Sequence, residues 1–255
     1  MSVYDLFNIR GRKALITGAA RGIGKVLAIA LAEAGCDVAV MDLTADSLGP
    51  VAGEIEALGV KSLTLSGDVS SKKDVDAAFT AAAKAFGKLD ICMNNAGISI
   101  QKPAEEMPEA DYLKIIDINL KGVFLCCQAA ARLMIPQKSG SIINMGSMSA
   151  SAVNVPQKQA IYNTSKAGVV MLTRSLAVEW APYGVRVNSL SPGYMKTEMT
   201  LAGMSHLFPT WESLTPMGRL GVPEELRGAV LFMASDASSY MTGNDMIVDG
   251  GYTSR

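Results

Sequence analysis

Apolar and polar residues are grouped along this chain in blocks. Short, nearly continuous apolar runs occupy 13–17, 37–41, 62–66, 89–93, 141–146, 185–190 and 245–248. Runs this short, closed by glycine or polar residues, suit strands buried on both faces. Between them lie longer stretches with apolar residues three and four apart, which predict helices. These cover 25–34, a segment ending at Leu58, the Ala-rich stretch from Ser71 to Phe86, 112–135, 162 to about 180, and 223–234. Strand and helix alternate with no linker, repeat or low-complexity segment, so residues 1–255 read as one α/β domain with a parallel sheet covered on both faces. Residues 198–221 break the pattern. They have no strong periodicity and carry Met199, Met204, Trp211 and Met217, so the region of about 191–222 reads as a loop forming a substrate lid.

Composition narrows the function classes. The 255 residues are 49% hydrophobic with a formal net charge of −1, so no basic footprint points to nucleic acid or an anionic membrane. No apolar run reaches transmembrane length, and the N-terminus has no basic segment followed by an apolar one, so no signal peptide is expected; the cysteine usage is what points to the cytoplasm. Cys36, Cys92, Cys126 and Cys127 form no Cys-x-x-Cys pair and read as small core residues. His206 is the only histidine, so no zinc ligand set is expected, and no metal.

Two stretches carry candidate chemistry. Gly18, Gly22 and Gly24 lie where the first strand should turn into the first helix, the place where backbone N–H groups can meet a pyrophosphate. Asp42 ends the second strand, where a carboxylate can accept from both adenine-ribose hydroxyls and repel a 2′-phosphate. Arg21, in the same turn, is the contrary signal, and a helix N-cap is the plainer role for Asp42. The second stretch is Ser147 to Lys166. Tyr162 and Lys166 are four apart on a predicted helix and so share a face, where the ammonium should lower the phenol pKa. Ser147 follows a strand-like run, and its hydroxyl could face the same site.

Taken together, Thr17-Gly-x-x-x-Gly-x-Gly24, Asn94-Asn-Ala-Gly97, Ser147, Tyr162-x-x-x-Lys166 and Pro192-Gly193 resemble the short-chain dehydrogenase/reductase family. The resemblance implies a Rossmann-like, doubly wound three-layer fold with a seven-stranded parallel sheet. It implies a catalytic set of Asn119, Ser147, Tyr162 and Lys166, with a local helix distortion at Asn119. Asn119 there helps hold a water linking the lysine to solvent, although a buried Asn bonded to a neighbouring carbonyl is the plainer alternative. The cofactor residues implied are Gly18, Arg21, Gly22, Ile23 and Gly24 at the turn, Asp42, Asp68 and Val69 around the adenosine, and Asn95, Ala96 and Gly97. Tyr162, Lys166, Pro192, Gly193, Met195 and Thr197 complete that set on the nicotinamide side.

The cofactor expected is NAD(H), with NADP(H) second. The substrate is a small alcohol or ketone. The 15-residue spacing between Ser147 and Tyr162 carries amides that suit a polyhydroxylated substrate. Ser147-Met-Ser149, Asn154-x-Pro-Gln157 and the Gly-Tyr-x-x-Thr-Glu-Met of residues 193–199 resemble the galactitol, mannitol and sorbitol dehydrogenase branch. Ser149, Asn154, Gln157 and Tyr194 are its candidate substrate residues, unless the amides face solvent. An NADPH-dependent 3-ketoacyl or general carbonyl reductase is the alternative, and a cofactor-binding scaffold or regulator the non-enzymatic one. The helices at 112–135 and after Tyr162 are apolar on more than one face, and with the resemblance this implies a homotetramer.

Overall fold

Seven strands pair in parallel in the order β3-β2-β1-β4-β5-β6-β7. They are β1 Lys13–Thr17, β2 Asp37–Asp42, β3 Ser62–Ser66, β4 Ile91–Asn94, β5 Gly140–Met145, β6 Val185–Pro192 and β7 Asp245–Val248. The computed structural model describes residues 2–255, with the side chain of Met199 outside the described set. The helices, in chain order, are α1 Gly22–Glu33, α2 Gly49–Ala57, α3 Lys72–Phe86, α4 Glu109–Ile116, α5 Gly122–Gln137, α6 Ala160–Trp180, α7 Glu198–Gly203, α8 Phe208–Leu214 and α9 Arg227–Ala234.

The apolar runs of the inner strands are explained by burial on both faces, while the edge strands β3 and β7 are only partly buried. Successive side chains of β1 enter opposite cores, Ile16 with Leu27 and Leu31 of α1, Leu15 with Val75 and Phe79 of α3. One core is closed by α1, α2 and α9, the other by α3, α5 and α6. Strand order reverses between β1 and β4, and a crevice opens at the carboxyl ends of the strands there. A buried polar chain crosses the second core. Asn94 Nδ2 donates to Asn144 Oδ1 at 2.8 Å, and Asn144 Nδ2 donates to Thr173 Oγ1 at 2.9 Å. The thiols of Cys92 and Cys127 donate into the same amides.

Several expectations need correction. Helix α1 starts at Gly22, three residues early, so the second and third glycines of the turn lie inside its first turn. The last helix opens with a 3₁₀ turn at Pro223–Leu226. Residues 198–221 are not a structureless loop: Thr197 caps α7, and α8 follows. Helices of one or two turns are too short to show a 3.6-residue period in sequence. Contrary to expectation, one segment does reach transmembrane length. Glu109–Gln137 is a continuous 29-residue helical stretch, long and apolar enough to cross a bilayer by length and composition. In this fold α5 lies on the sheet instead, with Val123, Cys126, Cys127 and Met134 buried.

Candidate active site

The glycine turn is held from both sides by side chains. Thr17 Oγ1 accepts the N–H groups of Asn95 and Ala96, each at 3.1 Å. Asn95 Nδ2 donates back to the carbonyls of Thr17 and Gly18 at 3.0 and 2.9 Å. A Cβ on Gly24 would lie 2.1 Å from the Gly18 oxygen, so only glycine allows this close approach. Gly22 is different: its φ is +56°, and a Cβ there would meet nothing within 4 Å. An open cradle at the start of α1, with its unpaired N–H groups, fits the pyrophosphate of a nicotinamide dinucleotide. Thr17 was part of the sequence motif, but its clamping role was not legible there.

Asp42 has both oxygens engaged by backbone. Oδ2 accepts from Ala20 N at 3.0 Å and Oδ1 from Leu43 N at 2.8 Å, so the carboxylate ties the end of β2 to the glycine turn. Asp68 Oδ1 accepts from Ser70 N and Oγ, which fixes the loop beside Val69.

At the other end of the crevice, helix register brings the polar groups together. Between α4 and α5 the helix widens to a π turn over Asp117–Lys121, the distortion expected around Asn119. Asn119 is 0% exposed and bonded to Ile98 and to Ser165 Oγ. The plainer expectation for it, a bond to a neighbouring carbonyl, is present in the geometry. A Cβ on Gly97 would lie 3.3 Å from Asn119 Oδ1 and 3.6 Å from Lys166 Nζ, so the two converge behind that glycine. Ser147 Oγ accepts from Ser149 N at 3.1 Å and lies 3.0 Å from Ser149 Oγ. Tyr162 stands in the first turn of α6, with Lys166 Nζ 5.8 Å from its ring centre and donating to the Met145 carbonyl at 2.8 Å.

The expected fall in the Tyr162 pKa is not present. Burial raises it, and the Ser147 hydroxyl is the group that works in the other direction. Burial also lowers Lys166, to about 8. Desolvation disfavours the charged form of each, and here it outweighs the attraction expected from a shared helix face.

Opposite these residues the loop after β5 carries a chain of amides. Asn154 and Gln157 are 3% and 8% exposed, so the solvent-facing alternative does not hold. Asn154 Nδ2 and Gln157 Nε2 both donate to Tyr194 Oη, at 3.1 and 2.8 Å. Trp211 Nε1 of α8 donates to Gln157 Oε1 at 3.1 Å, and Gln159 Nε2 donates to Asn154 Oδ1 at 2.8 Å. The Tyr194 ring stacks on the Trp211 indole at 4.1 Å and 5°. Position 211 gave only a lid residue in the sequence; its bond to Gln157 depends on tertiary packing.

Every residue assigned to catalysis, cofactor or substrate lines one cleft of about 540 Å³, with Asn119 the exception, one layer behind. Among the described residues no cluster of side chains could hold a metal ion. His206 is exposed in the turn between α7 and α8 and does not line this cleft.

A family model described as "Enoyl-(Acyl carrier protein) reductase" matches residues 18–253. The chain is 44% identical over 257 aligned positions to the galactitol 2-dehydrogenase of Rhizobium johnstonii, covering 99% of both chains. It is 41% identical over 253 positions to a probable NADP-dependent mannitol dehydrogenase of Yarrowia lipolytica, covering 98% of this chain and 91% of that one. The crystal structure of a short-chain type dehydrogenase/reductase from Mycobacterium marinum matches with a TM-score of 0.97 and 47% identity, over 100% of both chains.

Proposed function

The chain belongs to the short-chain dehydrogenase/reductase family, an oxidoreductase of alcohol groups, and we propose that it interconverts a polyol and its ketose with NAD(H). The observation that carries the substrate class is the polar wall beside Ser147 and Tyr162. Ser149, Asn154, Gln157 and Tyr194 all line it. A fatty or steroid substrate favours apolar walls, whereas a polyhydroxylated one gains from convergent donors and acceptors. The names of the galactitol and mannitol relatives agree with that class.

A nicotinamide dinucleotide, when bound, supplies the hydride acceptor or donor. Gly18, Arg21, Gly22, Ile23 and Gly24 would hold its pyrophosphate, and Asp42, Asp68 and Val69 its adenosine. Asn95, Ala96, Gly97, Pro192, Gly193, Met195 and Thr197 would line its nicotinamide half. The preference for NAD(H) rests on Asp42, whose carboxylate would repel a 2′-phosphate at the end of β2. Tyr162 exchanges the proton of the substrate hydroxyl, and Ser147 binds the same oxygen. The raised Tyr162 pKa keeps its proton available for ketone reduction. Lys166 carries positive charge to the face it shares with Tyr162 and would bond the nicotinamide ribose. Asn119 anchors the segment at Ile98 in front of Lys166, and a water held near it would pass protons to solvent.

The region of about 191–222 serves as the lid of a single catalytic domain. The protein works in the cytoplasm, where its four buried free thiols stay reduced. It acts as a homotetramer: Tyr112, Leu113 and Phe124 on one helical stretch and Met171 and Val178 on α6 are exposed, Val178 to 78%. A second copy would cover them. Sedimentation at micromolar concentration should give four times the chain mass, and a monomer refutes the assembly.

An NADPH-dependent 3-ketoacyl or general carbonyl reductase is the second reading, favoured by Arg21 at the cleft and by the description of the family model. Turnover of hexitols, pentitols, ketoses, acetoacetyl esters and hydroxysteroids with NAD(H) and NADP(H) decides between them. Turnover confined to acyl esters or steroids overturns the polyol assignment, and no turnover with any of them returns the scaffold alternative.

A further inference from the structure

The amide chain around Tyr194 has a direction, and that direction has a chemical consequence. An indole N–H can only donate. Trp211 Nε1 therefore fixes the Gln157 amide with Oε1 toward the indole and Nε2 toward the phenol. Asn154 presents its Nδ2 to the same phenol oxygen, its Oδ1 being taken by Gln159. Tyr194 Oη thus accepts two N–H bonds, which uses its acceptor capacity and leaves its own O–H to find an acceptor elsewhere. A second aromatic neighbour, Tyr252, stands edge-on at 5.4 Å and 90°, and its buried hydroxyl has no hydrogen-bond partner. Tyr194 lines the cleft together with Asn154, Gln157 and Trp211.

We infer that Tyr194 is the specificity-determining donor of this site, giving its O–H bond to a second oxygen of the substrate beside the reacting carbon. The proposal rests on the polyol assignment and deepens it: the substrate must carry an accepting oxygen next to the one that reacts. Burial pushes Tyr194 up to about 12, against the two amide donors that favour the phenolate and with the neighbouring Tyr252 hydroxyl adding to the rise, so the proton is in place at neutral pH. A mono-alcohol leaves this half-buried donor without a partner, and sites built this way reject such analogues strongly. The stack on Trp211 and the two amides act through Tyr194 as its positioning groups.

The test compares Tyr194→Phe with the wild type on the best polyol and on its monodeoxy analogues, each lacking one hydroxyl next to the reacting carbon. Phenylalanine keeps the stack, and unchanged Trp fluorescence reports an intact lid. The expected result is a loss of about 10- to 100-fold in kcat/KM on the polyol, with less than about 3-fold on one deoxy analogue. Tyr252→Phe should leave the discrimination intact. Equal losses on polyol and all deoxy analogues would show a structural role only and overturn the inference, while the polyol assignment stands. If Tyr252→Phe reproduces Tyr194→Phe, the proton belongs to Tyr252 and the inference again fails. Absence of polyol turnover in the wild type sinks both.

Discussion

Asn119 and Ile98 hold each other through two hydrogen bonds. Ile98 N donates to Asn119 Oδ1 at 2.8 Å, and Asn119 Nδ2 donates to the Ile98 carbonyl at 2.9 Å. This reciprocal pair pins the π turn of one helical stretch to the segment after β4. It sets where the backbone in front of Lys166 runs.

Asn119→Leu removes both partners and strands a backbone N–H and C=O in a part-buried site. The expected cost is about 2–4 kcal/mol, read from urea unfolding of the cofactor-free protein. A change under about 0.5 kcal/mol would show that the segment is held by other contacts.

Asp42→Ala should weaken NAD binding by about 10-fold, in line with the loss of charge-assisted bonds to ribose hydroxyls. NADP binding should hold or improve, because the repelling carboxylate is gone. Titration calorimetry with each cofactor measures both. A wild-type preference for NADP would refute the selectivity argument at its root.

Tyr162→Phe keeps the ring and deletes the proton carrier. Turnover should fall by about 10²–10⁴-fold, the usual range for general acid–base catalysis. NADH binding, followed by fluorescence, should stay within a few-fold. Near-normal kcat in this variant removes Tyr162 from the mechanism.

Lys166 gives a pH signature of its own. Burial lowers it from 10.5 to about 8, so the folded chain releases this proton before the unfolded chain does. Its buried charge opposes folding at neutral pH, and that penalty lifts as pH rises through 8. Relative to Lys166→Met, the wild type should gain about 2 kcal/mol of stability between pH 7 and 9.5. Urea midpoints for the two cofactor-free proteins test it, and parallel pH curves would contradict it.

The sheet was legible because its inner strands are buried on both faces, which leaves nearly uninterrupted apolar runs such as Lys13–Thr17 and Asp37–Asp42. The glycine turn was legible because Gly22 and Gly24 answer local backbone demands. Three things depended on tertiary contacts and stayed hidden. α7 and α8 are too short to show a period. The partners of Asn154 and Gln157, Tyr194 and Trp211, come from segments 37 to 54 residues away. The pKa shifts of Tyr162 and Lys166 follow from how deeply α6 is covered, which an i, i+4 spacing does not state.

The chain of Asn94, Asn144 and Thr173 restricts how this protein can drift. Each member is sealed in the core and bonded to the next. An apolar residue at any one position strands its neighbour, at about 1–3 kcal/mol per lost partner. A lineage can replace the whole chain with apolar residues of similar shape, but the single steps toward that pass through destabilised ancestors. The three positions should therefore be inherited as a block, changing together where they change at all. Cys92 and Cys127, weaker donors at the margin of the same chain, are where substitution can begin.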